Sequence, residues 1–179
     1  LQGSPVANYY NFNDTLTPHP LISVLNSLKL DAFIVGNHDI EQGETVWQRT
    51  RKLSQFPWLA ANVINTKVPQ QEVFQPYKIL EKGSLKVGVL GLITPAIPNW
   101  LPPEIYKGMK FTDMQRTVSK TLPELEKNCD ILLGAFHSGI TPQKGSAGYP
   151  AELPEENAAL QIAQQFPEFD VILAGHEHR

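Results

Sequence analysis

Five histidines occur in this 179-residue chain. Four of them, His38, His137, His176 and His178, fall where an apolar run gives way to polar residues. The first lies in Ile34-Val35-Gly36-Asn37-His38-Asp39-Ile40-Glu41, where a glycine is followed by an amide, an imidazole and two carboxylates. Such a loop offers groups that can bind a metal ion and move a proton. Taken singly, each histidine reads as an ordinary hydrogen-bonded residue, and Asn and Asp are common turn formers. Taken together they point to one place, because parallel strands set their carboxyl ends along one edge of a sheet. Imidazoles with the Asn37 oxygen suit Zn, Fe or Mn better than Ca or Mg. At a strand end, residues i and i+2 share a side, so His176 and His178 are expected to face one cluster. None of these donors is charged, whereas a hydrolytic two-metal site calls for carboxylates that hold the ions roughly 3.5–4 Å apart. Asp39 and Glu41 are at hand, although the spacing alone does not turn them inward.

Other chemistries find less support. There is no G-x-S-x-G elbow, so Ser138 reads as a turn residue rather than a nucleophile. No phosphate-cradling P-loop and no G-x-G-x-x-G fingerprint occurs. Cys129, the only cysteine, forms no internal disulfide and reads as a partly buried structural thiol. His19, between Pro18 and Pro20, is expected on a surface loop with no role.

The elements that must position these groups alternate helix and strand. Residues 1–17 read as loop or a short helix, and Leu21 to Leu30 as an amphipathic helix opened by Pro20. Asp31 to Gly36 is a strand, Glu44 to Leu53 a helix, and Leu59 to Ile64 a short strand. Tyr77 to Leu80 and Leu85 to Ile93 form a hairpin whose second arm is apolar enough to be central. Residues 94–111, with four prolines, are expected as a long surface loop. Thr112 to Asn128 is a helix capped by Thr112 or Asp113, with Pro123 placed to kink or divide it. Asp130 to His137 is a strand; after a loop over 138–152 come a helix from about Pro154 to Phe166 and a strand from Asp170 to His176. Three times a helix leads through an Asp into an apolar run with a polar end, which indicates α/β architecture.

Hydrophobic content of 41% with 18% charged residues describes a folded globular chain, and a net charge of −3 without a basic cluster argues against a nucleic-acid polymer as partner. No apolar run approaches a membrane span. Leu1 is not Met and Arg179 follows directly on His178, so both ends are read as cut and residues 1–179 as one partial domain.

Gly36-Asn37-His38-Asp39, Phe136-His137-Ser138-Gly139 and Gly175-His176-Glu177-His178 resemble the last three signature blocks of the calcineurin-like metallophosphoesterases. Leu1-Gln2-Gly3-Ser4-Pro5 resembles the continuation of the family's Gly-Asp block, whose Asp, like the Asp-x-His block, would lie upstream of residue 1. Thr94-Pro95, Trp100-Leu101-Pro102-Pro103 and Glu156-Asn157-Ala158 bring the resemblance closest to the nucleotidase branch, that is 5′-nucleotidases and 2′,3′-cyclic-nucleotide 2′-phosphodiesterase/3′-nucleotidases.

The resemblance implies a two-sheet α/β sandwich, incomplete at both ends, that hydrolyses phosphate esters of small nucleotides through a hydroxide on a pair of divalent transition metal ions (Zn, Mn, Fe or Co). Asn37, His137 and His176 would bind the second ion and His178 the first, with the upstream aspartates and histidine completing the pair. His38 would not be a ligand; it would stabilise the transition state or protonate the leaving ribose oxygen, oriented by Glu41 where the branch commonly has Asp. Asp39 would structure the loop. Base recognition in the branch belongs to a separate C-terminal domain, and because the fragment lacks the upstream ligands it is itself expected to be inactive. Residence in the periplasm or at the cell surface is implied by the resemblance alone, and no oligomeric state is assigned. Two other readings stand beside it: a non-catalytic metal-binding fragment, and a hydrolase of the same superfamily acting on a non-nucleotide ester such as a sulfur ester.

Overall fold

Residues 85–93 and 131–137 are apolar enough to be covered on both faces, and they lie at the centre of the molecule. The computed structural model describes residues 3–178. In chain order the elements are α1 (Pro5–Phe12), α2 (Pro20–Ser27), β1 (Phe33–Ile34), α3 (Asn37–Ile40), α4 (Glu44–Leu53), β2 (Trp58–Leu59), β3 (Val63–Asn65), β4 (Tyr77–Lys82), β5 (Leu85–Ile93), α5 (Ile97–Trp100), β6 (Met109–Phe111), α6 (Met114–Glu126), β7 (Ile131–His137), α7 (Ala159–Gln165) and β8 (Val171–Ala174).

The main sheet has the order β4-β5-β7-β8, with β4 antiparallel to β5 and the other pairs parallel. Side chains alternate across it. Leu90, Leu92, Leu132 and Phe136 pack against Met114, Val118, Leu122 and Leu125 of α6 and Ile162 of α7. Val87, Val89, Leu133 and Ala135 point the other way, toward Ile34 and Leu59 of the parallel β1–β2 pair. The approach is close at Gly91, where a Cβ would stand 2.4 Å from the Leu59 Cβ. Behind β1–β2 a further layer holds Ile22 of α2, Trp47 of α4, Phe56, Trp58 and Phe74. The order is therefore helices, small parallel pair, four-stranded sheet, helices, with a separate β3–β6 antiparallel pair. This is mixed α/β with several sheets, as the strand and helix alternation predicts.

Several boundaries differ from the expectation. The Asp31–Gly36 strand is only Phe33–Ile34, and the Leu59–Ile64 strand divides into β2 and β3 around a turn at Ala61-Asn62. Asn62 causes that division: its side chain is fully buried, donating to the Ile93 and Thr112 carbonyls and accepting from the Ile93 N–H. The 94–111 segment is not all surface, since Thr94, Ala96 and Ile97 are fully buried and it contributes α5 and β6. Asp113 caps α6 by accepting from Arg116 N–H, and the helix runs uninterrupted through Pro123. The carbonyl left without a donor there belongs to exposed Ser119, where water can take its place.

His19 is not a surface residue. It is 3% exposed, its Nδ1 accepts from Leu21 N–H to cap α2, and burial pushes its pKa down. The two flanking prolines fix its backbone, and the neighbouring ring of Tyr10 covers it. Cys129 meets the expectation, with its thiol donating to the Leu125 carbonyl and its pKa raised by burial. No helix among the described residues is long and apolar enough to cross a membrane.

Candidate metal centre

The alternation that buries Leu133 and Ala135 against β1–β2 places His137, the last residue of β7, on the same side. Its ring then meets the loop that leaves β1. Gly36 makes room: a Cβ there would stand 2.8 Å from the imidazole Cε1. His137 Nε2 and Asn37 Oδ1 approach to 2.8 Å. Burial first, and the neighbouring His176 second, lower the His137 pKa from 6.5 to about 4. At neutral pH the imidazole is therefore uncharged.

One carboxylate arranges the rest of this loop. Glu41 Oε1 accepts from Asn37 Nδ2 at 3.0 Å, and Oε2 pairs with His38 Nδ1 at 2.8 Å. Both contacts follow from helical spacing, four and three residues apart on the single turn α3. Because a carboxylate only accepts, it takes the NH2 end of Asn37 and turns the amide oxygen toward His137. The reach of Glu41 to His38, one methylene longer than an Asp would have, is thus sufficient. Asp39 faces back along the chain, where Oδ2 accepts from Gly36 N–H at 2.9 Å and closes the loop. Ser138 is fully buried, and its Oγ donates to the Glu156 carbonyl and accepts from Ala158 N–H, a structural role rather than a nucleophile's.

The last two histidines arrive differently. β8 ends at Ala174, so the strand alternation expected to carry His176 and His178 to one side does not extend to them. Instead both take positive φ, 89° and 55°. Left-handed backbone is uncommon for residues with a Cβ and clusters at functional positions. His176 lies beside His137, ring centroids 5.1 Å apart, with Trp100 on another side at 5.4 Å. His178 stacks against His38 at 6.3 Å. Asn37, His38, His137, His176 and His178 therefore occupy one neighbourhood, at the carboxyl ends of β1, β7 and β8.

The residues present fit a divalent transition metal ion. Asn37 and His137 aim an oxygen and a neutral nitrogen at each other, two donor atoms that a cation could bring together in place of a proton. Among the described residues no three His, Cys, Asp or Glu side chains form a metal-holding group by themselves. The opening residues Leu1 and Gln2 of the block resembling a Gly-Asp motif lie outside the described residues.

Two neighbours of the site were not predicted from the residues. Glu156 Oε1 sits 3.1 Å from His176 Nε2, and Trp100 lies against the same ring. Glu156 falls inside a segment expected to be helical, where the chain instead runs irregularly until α7 begins at Ala159. The available signal was the pair of carboxylates Glu155-Glu156 just before a buried Asn157.

The model of the calcineurin-like phosphoesterase family matches residues 6–179. The chain belongs to this family. It is similar to the trifunctional nucleotide phosphoesterase protein YfkN of Bacillus subtilis, 30% identical over 99% of this chain and 13% of that protein. It is also similar to the 2′,3′-cyclic-nucleotide 2′-phosphodiesterase/3′-nucleotidase of Haemophilus influenzae, 27% identical over the whole chain and 28% of the relative. The crystal structure of calcineurin-like phosphoesterase YfkN superposes with a TM-score of 0.84, at 30% identity, over 99% of this chain and 56% of that one. This calcineurin-like phosphoesterase chain thus spans under a third of the length of those two relatives, both named as phosphoesterases acting on nucleotides. Calcineurin-like phosphoesterases use divalent metal ions.

Proposed function

We propose that the chain is part of the catalytic domain of a nucleotide phosphohydrolase, a nucleotidase or 2′,3′-cyclic-nucleotide phosphodiesterase working with two divalent transition metal ions. The observation that carries the reading is the Glu41 carboxylate holding both Asn37 and His38 while Asn37 meets His137. Asn37, His137 and His176 would hold one ion and His178 would contribute to the other. Ions bound there would supply positive charge for the phosphate oxygens and lower the pKa of an attacking water. His38 does separate work. Glu41 engages its Nδ1, and the ring so oriented would pass a proton to the departing ribose oxygen. Glu41 would fix the orientation of the ring for that transfer. The nucleotide substrate class follows from the names of the relatives, and action outside the cytoplasm follows only from the family resemblance.

The test is phosphate and nucleoside release by the full-length protein from 3′- and 5′-mononucleotides and 2′,3′-cyclic nucleotides, with Mn, Zn or Co supplied in turn. Metal-dependent release is expected. Metal binding without release from any of these substrates would leave only a binding module or a non-nucleotide esterase, and the proposal would fail.

A further inference from the structure

We propose that Glu156 is a positioning residue for His176: it accepts the Nε2–H of the imidazole and so leaves Nδ1 as the nitrogen presented to a divalent cation. The inference rests on the reading of His176 as a metal ligand and assigns how that ligand is oriented.

The pair is 3.1 Å apart, with side chains only 13% and 16% exposed, so solvent competes little for either partner. A neutral imidazole carries its proton on one nitrogen and a lone pair on the other. A carboxylate beside Nε2 draws the proton there, and the lone pair is then on Nδ1. The positive φ of His176 sets the ring between Glu156, the His137 ring and Trp100 rather than along the strand direction.

Glu156 is itself held by its neighbours. On one side Glu155, 7% exposed, accepts from the N–H groups of Gln143, Lys144 and Asn157. On the other, Asn157, 2% exposed, accepts from Gly139 N–H and donates to the Thr141 carbonyl. Ser138 Oγ donates to the Glu156 carbonyl itself. Glu155 and Asn157 thus spend their side chains on the 139–144 loop, and Glu156 is the member of the trio that faces His176. A carboxylate on so fixed a backbone can orient a ring, whereas one on a loose loop could not.

The first measurement is the tautomer of His176 in the full-length protein, read from 15N–1H correlation spectra of histidine-labelled material without metal. The expected form carries its proton on Nε2; a proton on Nδ1 in the wild type overturns the proposal before any variant is made. The second is the dissociation constant for Zn2+ or Mn2+ by calorimetry, in wild type, Glu156→Ala, Glu156→Gln and His176→Ala. Glu156→Ala should weaken binding roughly 10–100-fold and mix the tautomers. Glu156→Gln, which keeps an accepting oxygen, should hold the Nε2–H tautomer with a smaller loss, and it remains informative if the alanine variant does not fold. Unchanged affinity in Glu156→Ala alongside weakened affinity in His176→Ala removes the positioning role and leaves the ligand reading intact. Unchanged affinity in His176→Ala removes the ligand reading itself.

Discussion

The two loops that bring most of the site's side chains, 36–41 and 175–178, solve the same problem in opposite ways. In the first, Gly36, Asn37, His38, Asp39 and Glu41 satisfy each other within a single turn of helix, by contacts three and four residues apart. In the second, His176 and His178 stand in left-handed backbone, and His176 is bonded to Glu156, twenty residues earlier in the chain. The first loop is organised by local spacing and arrives with its orientation built in. The second depends on a distant, separately braced segment. Order within five residues is encoded by the sequence nearby; order across twenty depends on the whole fold being in place.

The largest expected effect lies in the local loop. Glu41→Ala releases His38 and Asn37 together, so the proposed proton-transfer group and the proposed metal-binding oxygen lose their orientation in one step. Turnover of a nucleotide by the full-length protein should fall by roughly 10²–10³-fold, within the range of a lost acid–base contribution. Unfolding temperature should move less than turnover does, because the contacts to Asn37 and His38 lie within one turn. A fall under tenfold would mean that α3 holds its side chains without the carboxylate.

His137 joins the two loops, and its pH response is next in size. Its folded pKa, about 4, lies below the ordinary 6.5, so between these values the unfolded chain binds a proton that the folded chain refuses. Stability therefore rises with pH from about 4 to 6.5 and levels above it; equivalently, it is lost as the pH falls through that window. The full shift would correspond to roughly 3 kcal/mol, an upper bound given that the ring keeps some exposure. Denaturant titrations of metal-free wild type and His137→Asn across this range should differ in slope. Parallel curves would contradict the burial of the imidazole.

What was legible in the residues follows the same division. The Asn37–Glu41 turn could be read because its partners are neighbours in sequence, and the β5–β7–β8 core because apolar runs have few places to go but the interior. The tail could not be read so well. Alternation predicts that His176 and His178 share a face, yet strand geometry stops at Ala174 and each residue is set by its own φ. Glu156 is named by the resemblance but given no place in the site for the same reason: carboxylates before an apolar helix look like its first turn, whereas contacts of buried Ser138, Glu155 and Asn157 help hold this segment out of a helix. His19 was misplaced because flanking prolines suggest surface loop, whereas here they set a buried helix cap.

Gly36→Ala tests the close contact between the local loop and β7. The added methyl would stand 2.8 Å from the His137 ring, nearer than such atoms approach, so the ring or the loop must move. Overpacking of this kind costs about 1–3 kcal/mol. It should appear as a lowered unfolding temperature together with weakened Mn2+ or Zn2+ binding, since the displaced ring no longer meets Asn37. Lowered stability with unchanged metal affinity would show that the His137–Asn37 approach is not what binds the ion.

The smallest effect separates strain from packing in the tail. His178 has φ 55°, where glycine is at ease and a residue with a Cβ is not, and it is exposed apart from its stacking on His38. Replacing it by glycine relieves the backbone but adds entropy to the unfolded chain, so the net gain should be at most about 1 kcal/mol. In metal-free protein His178→Gly should therefore unfold at the same or a slightly higher temperature than wild type. With saturating metal the order should reverse, because wild type then gains stability from the extra donor. A variant less stable in both conditions would mean that the tail, like the loop at 36–41, is held by its own contacts, and the contrast between the two regions would disappear.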